Sequence, residues 1–171
     1  MGTRGAWGFR VNETDKVTYN HWDSYPSGLG VDIVKAIADT TNEGLHHAAL
    51  IIELVSEDVP ATREQIEMYE RFADVTVSDR RMSEWYCLLR HAQGQPKYWI
   101  RSNIQHMVDD SAFLSDSLFC EWAYIINTDN NSLEIYKGFN KNPDAPGRYA
   151  NLETRDNNGY CGVALVGVFS L

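Results

Sequence analysis

Hydrophobic and polar residues alternate in two pairs of segments, each pair joined by a short turn rich in Asn and Asp. The first pair covers residues 6–11 and 16–19, and the second covers residues 119–126 and 133–139. Alternation with a period of two places successive side chains on opposite faces of a strand. The pattern therefore predicts two β-hairpins, one at the start of the chain and one after its middle.

Helical spacing dominates the part of the chain between the two hairpins. Apolar residues recur at the spacing of one helix face from Gly30 onward, and we expect Ser27 to cap the start of this helix. Further helices are predicted over residues 62–73, starting with a capping box, and over residues 97–108. The C-terminal segment 161–169 is almost continuously apolar, which is typical of a central strand covered on both faces.

This order of elements predicts an α+β fold with a mainly antiparallel sheet and helices packed on it. The 171 residues suffice for one domain, which we expect to span residues 1–171. A hairpin that starts just after Thr3 also fits the layered antiparallel sheets of N-terminal-nucleophile hydrolases. That arrangement stays open as a variant of the same fold class, and fold analogy alone does not assign a function.

Charge and composition exclude several classes of function. The chain has 24 Asp and Glu against 15 Lys and Arg, a net charge of −9, whereas binding to nucleic-acid phosphates needs the opposite sign. We therefore expect no direct nucleic-acid binding. No apolar segment approaches the ~20 residues that span a bilayer, so we expect a cytoplasmic protein without a membrane partner. The 3 cysteines form no CxxC pair, so no zinc site or disulfide framework is predicted.

One polar segment, residues 19–30 with the sequence YNHWDSYPSGLG, stands between the second strand and the first predicted helix. Free N–H groups at a helix start bind anions, and Tyr or Trp rings stack on planar groups. We therefore expect a small anionic, nucleotide-like ligand here, without a cofactor. The residues expected to line its site are Arg4, Asn20, His21, Ser24, Tyr25, Ser27, Gly28 and Gly30. An elaborate helix entry, with Tyr25 and Trp22 packed inward, is the alternative.

Three residues, Thr3, His21 and Asp23, are candidate catalytic groups for a hydrolase. A threonine at a mature N-terminus attacks with its own amine as the base, which is the role that Thr3 would take. His21 and Asp23 alternate in an extended segment and so face the same side. The same pair is half of a metal site, but no further ligands follow at a recognised spacing. No metal is therefore expected.

Several longer motifs resemble a family of uncharacterised proteins from phages and bacterial genomes. They are MGTRG at the start, YNHWDSYPSGLG, WYCLLR and SLFCEWAY, in this order between residue 1 and about residue 139. The family has no assigned reaction. The resemblance implies a viral or mobile-element context, in which small acidic proteins capture a host signal molecule or bind a host factor. Capture of a nucleotide-like defence signal, hydrolysis and inhibition of a host protein are thus the three alternatives, and self-association stays open.

Overall fold

The computed structural model describes residues 2–152 and 158–171 of the chain. Its strands are β1 (Gly5–Val11), β2 (Thr14–Asn20), β3 (Glu53–Val55), β4 (His106–Val108), β5 (Trp122–Asn127), β6 (Ser132–Lys137) and β7 (Ala164–Ser170). Its helices are α1 (Val31–Ala38), α2 (Asn42–Ile51), α3 (Arg63–Tyr69), α4 (Trp85–Leu88) and α5 (Lys97–Ile100). One π-helical turn, Pro26–Gly30, leads into α1, and 3-10 turns span Glu70–Phe72 and Ser111–Ser115.

The main sheet has five strands in the order β2-β1-β5-β6-β7, and only the β1–β5 pairing is parallel. Both predicted hairpins and the α+β class are confirmed. Asn12 and Glu13 have φ of 49° and 61°, as a tight turn with the twist of a hairpin requires. The Asp129 carboxylate, in the second hairpin turn, accepts their N–H groups at 2.7 and 2.9 Å. The two hairpins are therefore joined side by side at their turns.

A second sheet consists of β3 and β4 alone, and these two strands run parallel. In the described part of the chain there is thus no second antiparallel sheet to stack on the first, as the N-terminal-nucleophile variant of the fold would need. No helix in that same part is long and apolar enough to cross a membrane, since the longest, α2, has 10 residues.

The sheet separates two hydrophobic cores, which alternate residues of β5 supply. Tyr124 and Ile126 face the helices, whereas Ala123 and Ile125 face the opposite layer. The helix-side core is the larger and contains the indoles of Trp7 and Trp99, whose ring centroids are 5.6 Å apart. Burial of one large apolar side chain contributes about 1.5–3 kcal/mol, so this packing holds the helical layer on the sheet.

Helix α3 begins as predicted, whereas the helix expected over residues 97–108 is much shorter. Thr62 and Gln65 form the predicted capping box, with Gln65 N donating to Thr62 Oγ1 at 3.2 Å. Helix α5 ends at Ile100, because Ser102 takes a φ of 60° and the chain turns into β4. Met107 is buried as expected, but on a strand. Ile100, Ile104 and Met107 are spaced by four and three residues, as on one helix face. A short helix, a turn and a strand bury the same three residues.

The predicted C-terminal strand forms as β7, but the prediction that it is central and covered on both faces is wrong. β7 lies at the edge of the sheet, where it pairs with β6, and Val166, Val168 and Phe169 are 56%, 55% and 57% exposed. β5 is already paired on one side with β1 and on the other with β6. The last strand therefore pairs with the free edge of β6. A continuous apolar run looks the same in a central strand and in an edge strand, so the pattern does not discriminate between them.

A buried ion pair fastens the layer opposite the helices. Glu134 Oε2 and Arg148 Nη2 form an ion pair at 2.6 Å, the Tyr136 hydroxyl donates to Glu134 Oε2 at 2.8 Å, and Asn127 Nδ2 donates to Glu134 Oε1 at 2.8 Å. Burial alone would raise the pKa of Glu134, but these hydrogen bonds outweigh it and hold the pKa below its usual range.

We expect Glu134→Gln to lower the free energy of unfolding by about 3 kcal/mol at neutral pH, because the Arg148 charge loses its partner. The native pKa of Glu134 is depressed, so the pair contributes above the unfolded pKa and its contribution is lost as the pH falls below about 4. Urea denaturation at neutral pH measures the loss of stability, and the same measurement below about pH 4 tests whether that loss disappears in acid.

The matched control is Glu67→Gln, which removes an exposed i,i+4 pair with Arg63 and should change stability by about 0.5 kcal/mol or less. Equal losses in the two variants, or a loss at Glu134 that persists in acid, would contradict a buried pair.

Candidate functional site

The polar segment after β2 is fastened to the sheet by Asn20 and Ser24. Asn20 Nδ2 donates to the Trp22 carbonyl and, at 2.8 Å, to Ser24 Oγ. The Ser24 N–H donates to the Thr3 carbonyl at 3.2 Å, and the Tyr124 hydroxyl donates to the Ser24 carbonyl at 2.9 Å. The segment is therefore held by the start of β1 and by β5 together.

Gly5 allows this attachment. A Cβ at Gly5 would lie 2.3 Å from the Trp122 carbonyl oxygen and 2.6 Å from the Ser24 Cβ. Neither neighbour can yield, since one is strand backbone and the other is fully buried. The glycine of the MGTRG motif thus has a packing reason that is independent of any ligand.

Three amides at the start of the helical segment are already used within the chain. The N–H groups of Gly28 and Gly30 donate to the Tyr25 carbonyl at 3.0 and 3.3 Å, and that of Leu29 donates to the Asp23 carbonyl at 2.9 Å. Ser27 is exposed and makes no capping hydrogen bond, so the predicted cap is wrong. The π-helical turn begins one residue after Tyr25, and the glycines expected to face an anion donate to backbone carbonyls instead.

The structure distributes the predicted lining residues over several environments. Arg4 and His21 lie on a cationic surface described below, Asn20 and Gly28 line a small acidic cavity, and Ser24 is buried. Tyr25 and Ser27 are exposed on the turn, and Gly30 packs against the Tyr124 ring. Trp22 is 50% exposed, so the alternative of an inward-packed helix entry is not met at this residue or at Tyr25.

A cleft of about 240 Å³ opens beside this segment, and we call it the indole cleft. Trp7, Trp85 and Trp99 form its apolar wall, and Tyr19 and Tyr86 also line it. The indole N–H of Trp85 donates to the Val59 carbonyl at 3.1 Å, and that of Trp99 donates to the His106 carbonyl at 2.8 Å. Trp7, Trp85 and Trp99 are only 1%, 2% and 3% exposed, so they form the closed apolar floor of the cleft. The half-buried rings of Tyr19 and Tyr86 are the aromatic surface that is open to a ligand.

Two carboxyl groups, Glu57 and Asp110, line the same cleft. Asp110 Oδ2 accepts the Tyr19 N–H at 2.8 Å and the Thr18 hydroxyl at 3.3 Å, which leaves Oδ1 for a ligand. Burial raises the pKa of Asp110 despite these hydrogen bonds. Burial also raises the pKa of Glu57, and the charges of Asp110 and Glu84 add to this shift. The polar end of the cleft therefore consists of hydrogen-bond acceptors that ionise reluctantly.

Positive charge gathers beside the cleft, on a surface that we call the cationic rim: Arg4, His21 and Arg90. The guanidinium of Arg90 lies 5.5 Å from the Tyr86 ring centroid, and His21 Nδ1 is hydrogen bonded to the Tyr19 hydroxyl at 2.8 Å. Burial lowers the pKa of His21, and the charges of Arg90 and Arg4 lower it further. The histidine is thus neutral at physiological pH, and the arginines carry the charge.

Arg90 links the rim to the cleft through a second contact. Its Nη1 donates to Gln93 Oε1 at 3.1 Å, and Gln93 lines the cleft. Its Nε is buried and has no hydrogen-bond partner among the described residues. A buried donor without a partner is costly, so the Arg90 Nε–H can donate to one further oxygen.

The candidate catalytic residues are not assembled into a site. Thr3 is 2% exposed, and no hydrogen bond or ion pair joins the described side chains of His21 and Asp23. Burial raises the pKa of Cys87 and Cys120, which is unsuited to a nucleophile. Residues 2–152 and 158–171 contain no group of three or more His, Cys, Asp or Glu that would hold a metal.

Glu57, Asp110 and Arg90 were not anticipated as site residues. They belong to the turn after β3, to the segment after β4 and to the turns after α4. No spacing in the sequence connects these segments. In the sequence, Asp109 and Asp110 are typical of a solvated helix end. Only the packing of the helical layer on β2 brings them together.

A comparison of the chain with protein-family models, curated proteins and solved structures finds no match. The geometry of the cleft and its rim is therefore the basis for assigning a function.

We expect Asp110→Asn to retain the full stability of the protein at neutral pH. The amide oxygen still accepts the Tyr19 N–H, and a carboxylate whose pKa is raised no longer has to ionise in a buried place. Because the native pKa lies above the unfolded one, the charge costs stability at high pH, and any advantage of the variant shrinks as the pH falls toward about 4. Urea denaturation of both proteins from neutral pH down to about pH 4 measures the difference in their free energies of unfolding.

The control is Asp110→Ala, which leaves the Tyr19 N–H without an acceptor and should cost about 1–3 kcal/mol. If the Asn variant were as unstable as the Ala variant, the carboxylate charge would be structural and not held for a ligand.

Proposed function

We propose that this protein binds a small nucleotide-like anion, with a planar base in the indole cleft and a phosphate on the cationic rim. One observation carries the proposal: an aromatic cleft with acceptor groups adjoins Arg90 and His21 through its own lining residues. Tyr86 contacts Arg90, and Tyr19 contacts His21.

The cleft suits the base of such a ligand in size and chemistry. A volume of about 240 Å³ accommodates one heterocycle beside the half-buried rings of Tyr19 and Tyr86. Single bases are recognised by stacking on aromatic side chains and by hydrogen bonds to their edges. The carboxyl oxygens of Asp110 and Glu57 accept N–H groups, which the exocyclic amines of guanine, cytosine and adenine supply.

The rim suits the phosphate. A guanidinium pairs with phosphate oxygens through two parallel hydrogen bonds, and Arg90 retains an unpartnered donor for this purpose. The net charge of −9 disfavours anions over most of the surface. Within a Debye length of about 8 Å, however, Arg4 and Arg90 determine the local potential. Two of the residues expected from the sequence, Arg4 and His21, thus keep a ligand-binding role in this proposal.

The resemblance to phage proteins gives this proposal its context. A cytoplasmic protein that captures a host defence signal of nucleotide type would need such a site and no catalytic group. The hydrolase and the host-protein inhibitor receive no comparable support from a specific contact.

We expect calorimetric titration with the four ribonucleoside monophosphates to show saturable binding of at least one, with quenching of tryptophan fluorescence. Arg90→Gln should weaken that binding about 10- to 100-fold, because a hydrogen bond to a charged group contributes about 1.5–3 kcal/mol. The corresponding nucleoside, which lacks the phosphate, should bind weakly and equally to both proteins.

The matched control is Arg63→Gln, which removes the same charge from the exposed surface of α3. Unaltered affinity in the Arg90 variant would exclude the rim as the phosphate site. Absence of any binding or quenching by all four nucleotides would overturn the proposed function.

A further inference from the structure

A second cavity, of about 230 Å³, lies between the polar segment and the start of α1. We call it the Asn20 cavity. Asn20, Asp23 and Asp32 line it, together with the Trp22 side chain and the turn at Gly94. Among the described residues that line it there is no Lys, Arg or His, so its polar side chains are two carboxylates and the two amides of Asn20 and Gln93.

Asn20 provides the strongest indication of a ligand. Its side chain is held rigidly, since Nδ2 donates to the Trp22 carbonyl and to Ser24 Oγ, and the residue is 1% exposed. Its Oδ1 is buried and accepts no hydrogen bond in the described structure. The absent side chain of Gly94 keeps space beside this atom, where a Cβ would lie 3.0 Å away. A buried acceptor without a donor indicates a missing partner.

The two carboxylates at the cavity also lack a cationic partner among the described residues. Asp23 has a φ of 49°, and its carbonyl, not its carboxylate, accepts the Leu29 N–H. Asp32 lies in the first turn of α1 and also lines a neighbouring groove that contains Lys35, Lys97 and Arg101. None of these cations forms an ion pair with Asp32 among the described residues; Arg101 pairs with Asp39 instead. Three acceptors from three separate positions therefore surround one cavity.

We propose that the Asn20 cavity binds the ammonium group of a small alkyl amine. An ammonium has three N–H donors and no acceptor, which matches Asn20 Oδ1 and the two carboxylates. Trp22 is 50% exposed and offers apolar ring surface to the alkyl stem, while the Arg90 guanidinium lies 6.0 Å from the centroid of the same ring. A hard divalent ion would need about six oxygen ligands, more than the cavity side chains supply.

This site is separate from the indole cleft and has the opposite ligand charge. The two cavities share only Gln93 and Gly94, which form the wall between them. The amine proposal consequently does not depend on nucleotide binding, and each can fail while the other holds.

The test is a titration of the ¹⁵N-labelled protein with 1,4-diaminobutane, observed by two-dimensional NMR. Saturable shifts are expected at the Asn20 side-chain amide and the Trp22 indole N–H. The neutral diol of the same length, 1,4-butanediol, should leave both signals unchanged. The double variant Asp23→Asn, Asp32→Asn should bind at least tenfold more weakly; Asn tolerates a positive φ as Asp does, so the variant should fold.

Asp144→Asn is the matched control, because it removes one charge from an exposed loop that does not line the cavity. Equal affinity in the double variant and the control would reduce the effect to general attraction by a negative protein and overturn the site. Shifts caused by Mg²⁺ but not by the diamine would also overturn it, in favour of a metal.

Discussion

The Asp110 contact with β2 is the interaction on which the site depends. β2 is an edge strand, and edge strands expose N–H and C=O groups that need partners. Asp110 supplies both: its N–H donates to the Val17 carbonyl at 2.8 Å, and its carboxylate accepts the Tyr19 N–H at 2.8 Å. The segment after β4 is thereby held against the sheet. The same contact places the Asp110 carboxyl group in the indole cleft. One residue therefore both pairs with the edge strand and supplies a hydrogen-bond acceptor to the cleft.

The polar segment after β2 divides its chemistry between two sides. His21 points to the cationic rim, whereas its neighbour Asn20 and the nearby Asp23 face the acidic cavity. Adjacent residues of an extended chain face opposite sides, which separates Asn20 from His21. Asp23 has a φ of 49° and is not extended, so the prediction that it shares a side with His21 is wrong. The motif's own hydrogen bonds use the amides of Gly28 and Gly30, so side chains and not helix amides determine the ligand preference.

Local patterns predicted much of the fold. The two hairpins, the α3 capping box and the assignment of Tyr124 and Ala123 to opposite faces depend on residues close in sequence, and all are confirmed. The length of α5 and the edge position of β7 were not predictable in this way. Both are determined by pairing between distant strands, β3 with β4 and β1 with β5, which no local period encodes.

The sequence by itself determined the α+β class, the two antiparallel hairpins and the segment dense in polar and aromatic side chains. Each of these depends on propensity and spacing within a few residues. It also singled out Arg4 and His21 as candidate ligand-binding residues. Only the tertiary structure places Glu57 and Asp110 on a cleft backed by three buried indoles, with Arg90 in contact with Tyr86 at its edge. The reason is physical: burial against Trp7 and Trp99 brings separate turns together, and the positions of those turns follow from the packing of the whole helical layer.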